Sequence, residues 1–412
     1  MENSLTALQR IEALFDEGSF KQTDAVNNAG VITGYGDIFG LHAFAFSQDK
    51  SVCDGAVSMD HAEKISKLYE LAAKAGAPVI GIYDSFGAKL DEGVQVLDAY
   101  GRIAKKAAEI SGVVPQISYI AGACLGVSAS IAQMADFIIM SKNGELFVNP
   151  PSSDFEKENG NAQAVTKRGL ASLVCDTEEE AINKIKMIVS SFPENNLSAI
   201  PQFEYNYPSE NSFSDVEKSA ASIADKDSLL ELWNQYGNGA YTAIGKVLGS
   251  TVGFIGASGK LSCTACGKIT KFASICDAFS IPVVSIIDCD GIENESKSAA
   301  RLINAFATAS TSHVCIITRK AIGAAYIAFC SASDMLYAFD NAVTAPLLPE
   351  TAEGFLNISA DEYSLQNLAS KNNAVTEIIN AASARQTVES ALDILSGKRV
   401  SSLPKKHSNL PY

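Results

Sequence analysis

The chain states one architecture twice, and that repetition limits its fold more than any single motif. Lys64-Ile65 opens a helical pattern ending at Ala75, followed by Pro78, the apolar run Val79–Tyr83, Asp84 and Gly87. Lys268-Ile269 opens another ending near Ser280, followed by Pro282, Val283–Ile287, Asp288 and Gly291. The Lys, Pro, Asp and Gly recur at one constant separation. Upstream, Gly36, Gly40 and Phe46 return as Gly245, Gly249 and Ile255; downstream, Gly126 and Asp136 return as Ala324 and Asp334. The separation changes only between blocks, as insertions in loops would make it.

Each half then reads alike. A glycine-rich strand pair (34–47; 243–256) precedes a helix with apolar 3.6 spacing and a buried strand ending in Asp. A second helix follows (Gln95–Ser111; Glu295–Ala309), then an apolar strand (Val114–Ile120; His313–Arg319) that enters a small-residue turn and helix. A last strand starts at Asp136 or Asp334. Runs apolar on both faces that alternate with helices predict an α/β fold with a largely parallel sheet. The start, MENSLTALQRIEALFDEGSF, predicts an acidic amphipathic helix and not a signal peptide, and Ala374–Leu395 predicts a closing helix. The polar stretch Pro193–Lys226 reads as the connection. The expected division is 1–200, a linker at 201–226, and 227–412.

Composition narrows the function classes. With 412 residues, 47% hydrophobic and 19% charged, the chain has the make-up of a globular protein of two to three domains. No apolar run reaches the roughly 18–20 residues of a membrane helix, so no membrane insertion is expected. A net charge of −15 argues against a nucleic-acid surface. Nine cysteines, several in apolar strand patterns, read as reduced core residues of a cytoplasmic protein. Cys263-x-x-Cys266 stands alone and the four histidines are scattered, so no metal is expected.

The small-residue turns carry the functional signal. GACLGVSAS at 122–130 and AIGAAY at 321–326 sit between strand and helix in equivalent places. One reading is close helix–sheet packing. The other is catalytic: such a turn leaves backbone N–H groups at a helix N-terminus, able to stabilise a thioester enolate oxygen. Gly126-Val127-Ser128-Ala129-Ser130 lacks the second glycine of a G-x-S-x-G elbow, and no histidine lies at a matching strand end in the first half. Ser128 and Cys124 are therefore poor nucleophile candidates.

These residues also carry a resemblance. QRIEALFDEGSF, FSQDKSVCDGAVSMDHAEKI, APVIGIYDSFGAKLDEGV, GVVPQISYIAGACLG, ICDAFSIPVVSIIDCDG, ITRKAIGAAYIAFCS and the LPKKHSNLPY tail occur in the order of a known family. The chain resembles the carboxyltransferase subunit of biotin-dependent acyl-CoA carboxylases and decarboxylases, the propionyl-CoA carboxylase β / glutaconyl-CoA decarboxylase α group of the crotonase superfamily. The resemblance implies a tandem duplication of a crotonase/ClpP-like ββα superhelix domain, with acyl-CoA on the first half and biotin on the second. It assigns one oxyanion hole to the N–H groups of Gly126 and Val127, for the acyl-CoA enolate. It assigns another to Gly323 and Ala324, for the ureido oxygen of biotin. Gly55, Ser85, Phe86, Gly87, Ala88 and Tyr326 become substrate-binding positions.

Biotin is expected on a separate carrier protein, because the chain has no Met-Lys-Met biotinylation segment. Biotin carboxylase or membrane decarboxylase subunits are further expected partners, and a homodimer or trimer of dimers the expected assembly. The departures are as specific. Asp84-Ser85-Phe86-Gly87-Ala88-Lys89 has Phe and Lys where the family shows Gly and Arg, and each Gly-Gly turn is Gly126-Val127 or Gly323-Ala324. The segments after Pro150 and Gly291 are shortened. A non-catalytic scaffold relative is the alternative these departures support. A different crotonase-type reaction would need a carboxylate at the first turn, and GACLGVSAS has none.

Overall fold

In the computed structural model the described residues are 4–24, 28–149, 159–293, 296–371, 375–400 and 409. The segment after Pro150 as far as residue 158 and the basic Lys405-Lys406-His407 lie outside them. The chain divides into two compact units, Met1–Ala199 and Ile200–Tyr412.

The first unit begins with α1 (Ala7–Leu14), shorter than the amphipathic pattern suggests. Thr6 and Gln9 form a reciprocal capping box at its start. β1 (Lys21–Thr23), β2 (Val31–Ile38) and β3 (Leu41–Gln48) form an antiparallel meander. α2 (Met59–Ala75) is capped by the Ser58 hydroxyl and closed by Gly76 in the left-handed region at φ 67°. It turns Ile65, Leu68, Tyr69 and Ala72 inward. β4 (Val79–Ser85), buried along its whole length, α3 (Gln95–Glu109) and β5 (Gln116–Leu125) follow. Then come α4 (Val127–Ala132), β6 (Phe137–Ser141), β7 (Glu145–Phe147), α5 (Ala162–Lys167), β8 (Leu173–Cys175) and α6 (Glu178–Ser191). The sheet runs β1-β2-β3-β4-β5-β6-β8, parallel from β3 onward, and β7 pairs with the end of β5.

The second unit repeats this order. α7 (Val216–Ile223), β9 (Leu230–Glu231), β10 (Ala240–Val247) and β11 (Ser250–Leu261) lead to α8 (Cys263–Ala278) and β12 (Val283–Ile292). α9 (Ser296–Thr308), β13 (His313–Ile322), a π-helical turn (Tyr326–Cys330), β14 (Met335–Phe339) and β15 (Val343–Ala345) follow. α10 (Pro349–Leu356), α11 (Ala360–Gln366), β16 (Glu377–Ile379) and α12 (Ala384–Leu395) complete it. Its sheet is β16-β14-β13-β12-β11-β10-β9, with β15 on the end of β13 as β7 is on β5. Two parallel-rich sheets of matching order are the α/β duplication the repeat predicts.

Two expectations change. Within 201–226, expected as a linker, α7 forms and buries Val216, Ala220 and Ile223 in the core of the second unit. The closing helix pattern from Ala374 resolves into β16 and then α12. Val388 and Ala391 of α12 pack into that same core, and β16 joins β14.

Candidate active site

In an open parallel sheet, the strand carboxyl ends are where loops gather to bind ligands. At the ends of β3, β4 and β5 three loops interlock. Phe86 N–H donates to the Asp54 carbonyl at 3.1 Å, Val57 N–H to Gly87 at 2.8 Å, and Lys89 N–H to Val57 at 2.9 Å. Gly55 adopts φ 69° with its Cα against the chain at Asp84, and a Cβ there would collide with the Asp84 carbonyl oxygen. Only glycine permits both the conformation and the approach. Gly87, at φ 104°, lies where a Cβ would stand 3.4 Å from the Leu125 carbonyl oxygen, which brings the β5 turn into the same cluster. The Ser85 hydroxyl, fully buried, accepts from Gly87 N–H at 3.1 Å. Ala88 bridges to Val57 and is half-buried. The structure thus brings Gly55, Ser85, Phe86, Gly87 and Ala88 together beside Gly126 and Val127.

Gly126 links β5 to α4 at φ 68° and ψ −139°. Its N–H donates to the Phe147 carbonyl at 2.8 Å, so β7 pins the turn. The resemblance assigned this N–H to an oxyanion hole; here it is spent on the β7 carbonyl. The N–H of Val127, the first helical residue, makes no hydrogen bond among the described residues, and the residue is 42% exposed. The second unit repeats the arrangement. Gly323, at φ 57°, donates its N–H to the Ala345 carbonyl of β15 at 2.9 Å, which corrects the matching expectation there. Ala324 N–H is likewise unbonded among the described residues. Ala324 and Tyr326 are half-buried, and burial pushes the Tyr326 phenol above its usual pKa.

The side chains that could pass for nucleophiles face the core. Ser128 Oγ lies 3.1 Å from the Tyr100 hydroxyl, and both residues are buried. Burial pushes the Cys124 thiol well above its ordinary value, the opposite of what a reactive thiolate needs. Phe86 is 51% exposed with the Lys50 ammonium 5.1 Å from its ring centroid, so its bulk lies outside the turn and not within it. Lys89 is held by Glu92 at 3.2 Å.

Asp84 does not cap its own turn among the described residues. Its Oδ2 accepts from Arg10 Nη1 of α1 at 2.9 Å, and Arg10 Nε also reaches Glu178 Oε2 of α6 at 2.7 Å. Burial opposes the Arg10 charge, but its hydrogen bonds to Glu178 and Asp84 outweigh that cost and hold it charged. Asp288, the repeat's second copy, instead meets Arg319 of β13 at 2.8 Å. Sequence reading missed both cations, because neither is near its partner in the chain.

With that geometry in place, the comparisons give the family. Residues 1–410 match the carboxyl transferase domain. The methylmalonyl-CoA decarboxylase subunit alpha of Propionigenium modestum is 30% identical over 99% of this chain and 93% of its own. The propionyl-CoA carboxylase beta chain of Roseobacter denitrificans is 30% identical over 99% and 94%. Among solved structures, transcarboxylase 12S with hydrolysed methylmalonyl-coenzyme A bound superposes at a TM-score of 0.94, with 28% identity, covering 99% of this chain and 93% of that one. This chain belongs to the carboxyl transferase family. Its fold is the duplicated crotonase-like fold of transcarboxylase 12S, and it is a carboxyltransferase of the kind found in biotin-dependent acyl-CoA carboxylases and decarboxylases.

Proposed function

We propose that the protein moves a carboxyl group between carboxybiotin on a partner protein and the α-carbon of a short acyl-CoA. The observation that supports this most is the paired turn. In each unit, a glycine of positive φ is pinned by a short strand, and the next residue's N–H is left at a helix start. Carboxybiotin, delivered by its carrier, would supply the carboxyl group from its ureido nitrogen, which takes up the α-carbon proton in exchange. Val127 N–H donates to the thioester oxygen as negative charge builds on it, and Ala324 N–H donates to the ureido oxygen. Such a donor contributes about 3–4 kcal/mol to the transition state. Gly126 and Gly323 then act by fixing the direction of those donors. Gly55, Ser85, Phe86, Gly87 and Ala88 shape the acyl-CoA side, and Tyr326 the ureido side, where the small Gly323-Ala324-Ala325 run leaves room for a ring.

The biotin carrier, with biotin carboxylase or a membrane decarboxylase subunit, completes the reaction. The apolar side chains Phe86, Leu90, Val94 and Leu97, all exposed, favour a covered face and hence a homodimer or trimer of dimers. The main rival is a non-catalytic scaffold, which predicts no binding of CoA esters.

The test uses purified full-length protein with malonyl- or methylmalonyl-CoA and free biotin, followed by release or transfer of the carboxyl group. Turnover is expected; its absence with every acyl chain length would sink the proposal. Val127→Pro removes one N–H at a position where proline is well tolerated, the first residue of a helix. It is expected to lower turnover on the order of 100- to 1000-fold. Ala324→Pro is expected to do the same, and wild-type turnover in both variants would overturn the assignment of the donors.

A further inference from the structure

We infer that Asp84, held by Arg10, is the positioning residue that sets the three loops of the first-unit site relative to one another. The inference rests on the proposed carboxyl transfer for its kinetic meaning and on geometry for its substance. Every face of Asp84 touches a different part of the site. Its N–H donates to Gln48 Oε1 at the end of β3, at 3.2 Å. Its carbonyl oxygen fills the space against Gly55, in the loop that enters α2. Its Oδ1 accepts from Ala123 N–H at 3.3 Å, and Gly122 is kept without a side chain by that carboxylate, since a Cβ there would collide with it. Oδ2 takes Arg10 Nη1. One residue therefore meets the loop ending at Val57 through its main chain and, through its carboxylate, ties α1 to the strand end that carries Gly126 and Val127.

The carboxylate is only 8% exposed and Arg10's side chain 3%. A buried charge of this kind holds its geometry only while its partner is present. Arg10 is itself fixed from three sides. Nε and Nη2 hold Glu178, at 2.7 and 3.1 Å, and Nη2 also donates to Ser4 Oγ at 2.8 Å. Asp288, at the equivalent strand end of the second unit, is not such a hub among the described residues. Arg319 is half exposed there, and no hydrogen bond ties Asp288 to the turn at Gly323 among the described residues. The buried pair therefore serves the first-unit site alone, where an N–H must meet a developing charge within a fraction of an ångström.

The experiment compares Arg10→Gln, Asp84→Asn and the double variant with wild type. In Arg10→Gln, kcat is expected to fall about 100-fold with KM for methylmalonyl-CoA little changed, because the reacting end is misplaced while the rest of CoA still binds. The double variant removes the Asp84 charge together with its cation, leaves only the partly exposed Glu178 without it, and is expected to recover part of that loss. Arg10→Lys, with one donor in place of the fork, is expected to fall between. Hydrogen exchange of the intact chain is measured alongside. Peptides covering 53–57, 84–89 and 122–127 are expected to exchange faster in both single variants, with the other peptides unchanged.

Wild-type kcat in Arg10→Gln would overturn the inference. So would a double variant no better than the singles, or exchange that rises evenly through the unit. Were wild type itself without turnover, the functional proposal would fall, and the exchange pattern alone would still decide the role of Asp84.

Discussion

Ser128 and Cys124 lie in the most reactive-looking stretch of the chain, yet their surroundings make them core residues. Ser128 shares a buried hydrogen bond with Tyr100, whose phenol burial pushes up to about 12. Ser128→Ala is expected to leave carboxyl transfer within about threefold of wild type and to cost about 1 kcal/mol of stability. A nucleophile's loss would instead remove several orders of magnitude, and a steady-state assay separates the two. Asp84 teaches the opposite lesson. Read locally, a carboxylate before Ser-Phe-Gly is a turn cap. Its actual partner, Arg10, stands 74 positions away in sequence, and no local pattern announces it. Side-chain reactivity was legible at Ser128 because neighbours in sequence already argued against it. The ion pair was not legible, because it exists only once α1 is packed against β2, β3 and α6 and brings Arg10 to Asp84.

Strands were the easiest elements to read. Val79–Tyr83 and Val283–Ile287 are apolar on both faces, and only a sheet buried on both sides explains such a run. The repeat then fixed their order, since matching blocks fold alike. Helices with polar dressing were harder. In α7 the core-facing Val216, Ala220 and Ile223 keep helical spacing, but Glu217, Lys218 and the serines around them gave 201–226 the look of a linker. The Asp215 side chain caps its first turn, a signal that was present and outweighed by composition. The consequence is measurable. Ile223→Ala is expected to destabilise the second unit by about 2–5 kcal/mol, because its side chain is fully buried in that core. Trp233, the single tryptophan of the chain, is buried in the second unit, so its fluorescence in urea reports that unit alone. An unmoved tryptophan transition would return 216–223 to the status of a connection. Turn geometry was half legible: the glycines stood out, but which N–H each one spends depends on β7 and β15, three residues apiece.

At the scale of the molecule, each unit carries one histidine whose burial sets a common response to acid. His61 is fully buried and its pKa is lowered to about 3; His313, also buried and bonded through Nε2 to Ser285 Oγ at 2.8 Å, is lowered to about 4. Desolvation is the first cause in both, with Lys64 and Lys398 adding to it and Asp334 opposing it at His313. Unfolded histidine titrates near 6.5. Below that pH the unfolded chain binds protons the folded one refuses, so stability is full above about 6.5 and falls as pH drops toward 4. Each histidine contributes up to about 1.4 kcal/mol per pH unit in that window. Urea midpoints between pH 7.5 and 5.5, read by Trp233, are expected to decline with acid in wild type and less steeply in His313→Gln. Equal slopes would show that other groups govern the acid limb.

The pinned glycines of the two turns have an implication for how such a site changes over generations. A donor that belongs to the main chain is encoded by no particular letter, since every residue but proline supplies it. On the proposed function, drift could therefore exchange Gly for Val at 127 or for Ala at 324 while the proposed donor stays put. Alanine scanning would pass across both positions in silence. A census of relatives is better taken by geometry, asking for a parallel strand that ends in a glycine of positive φ and a three-residue strand that ties it down, than by spelling.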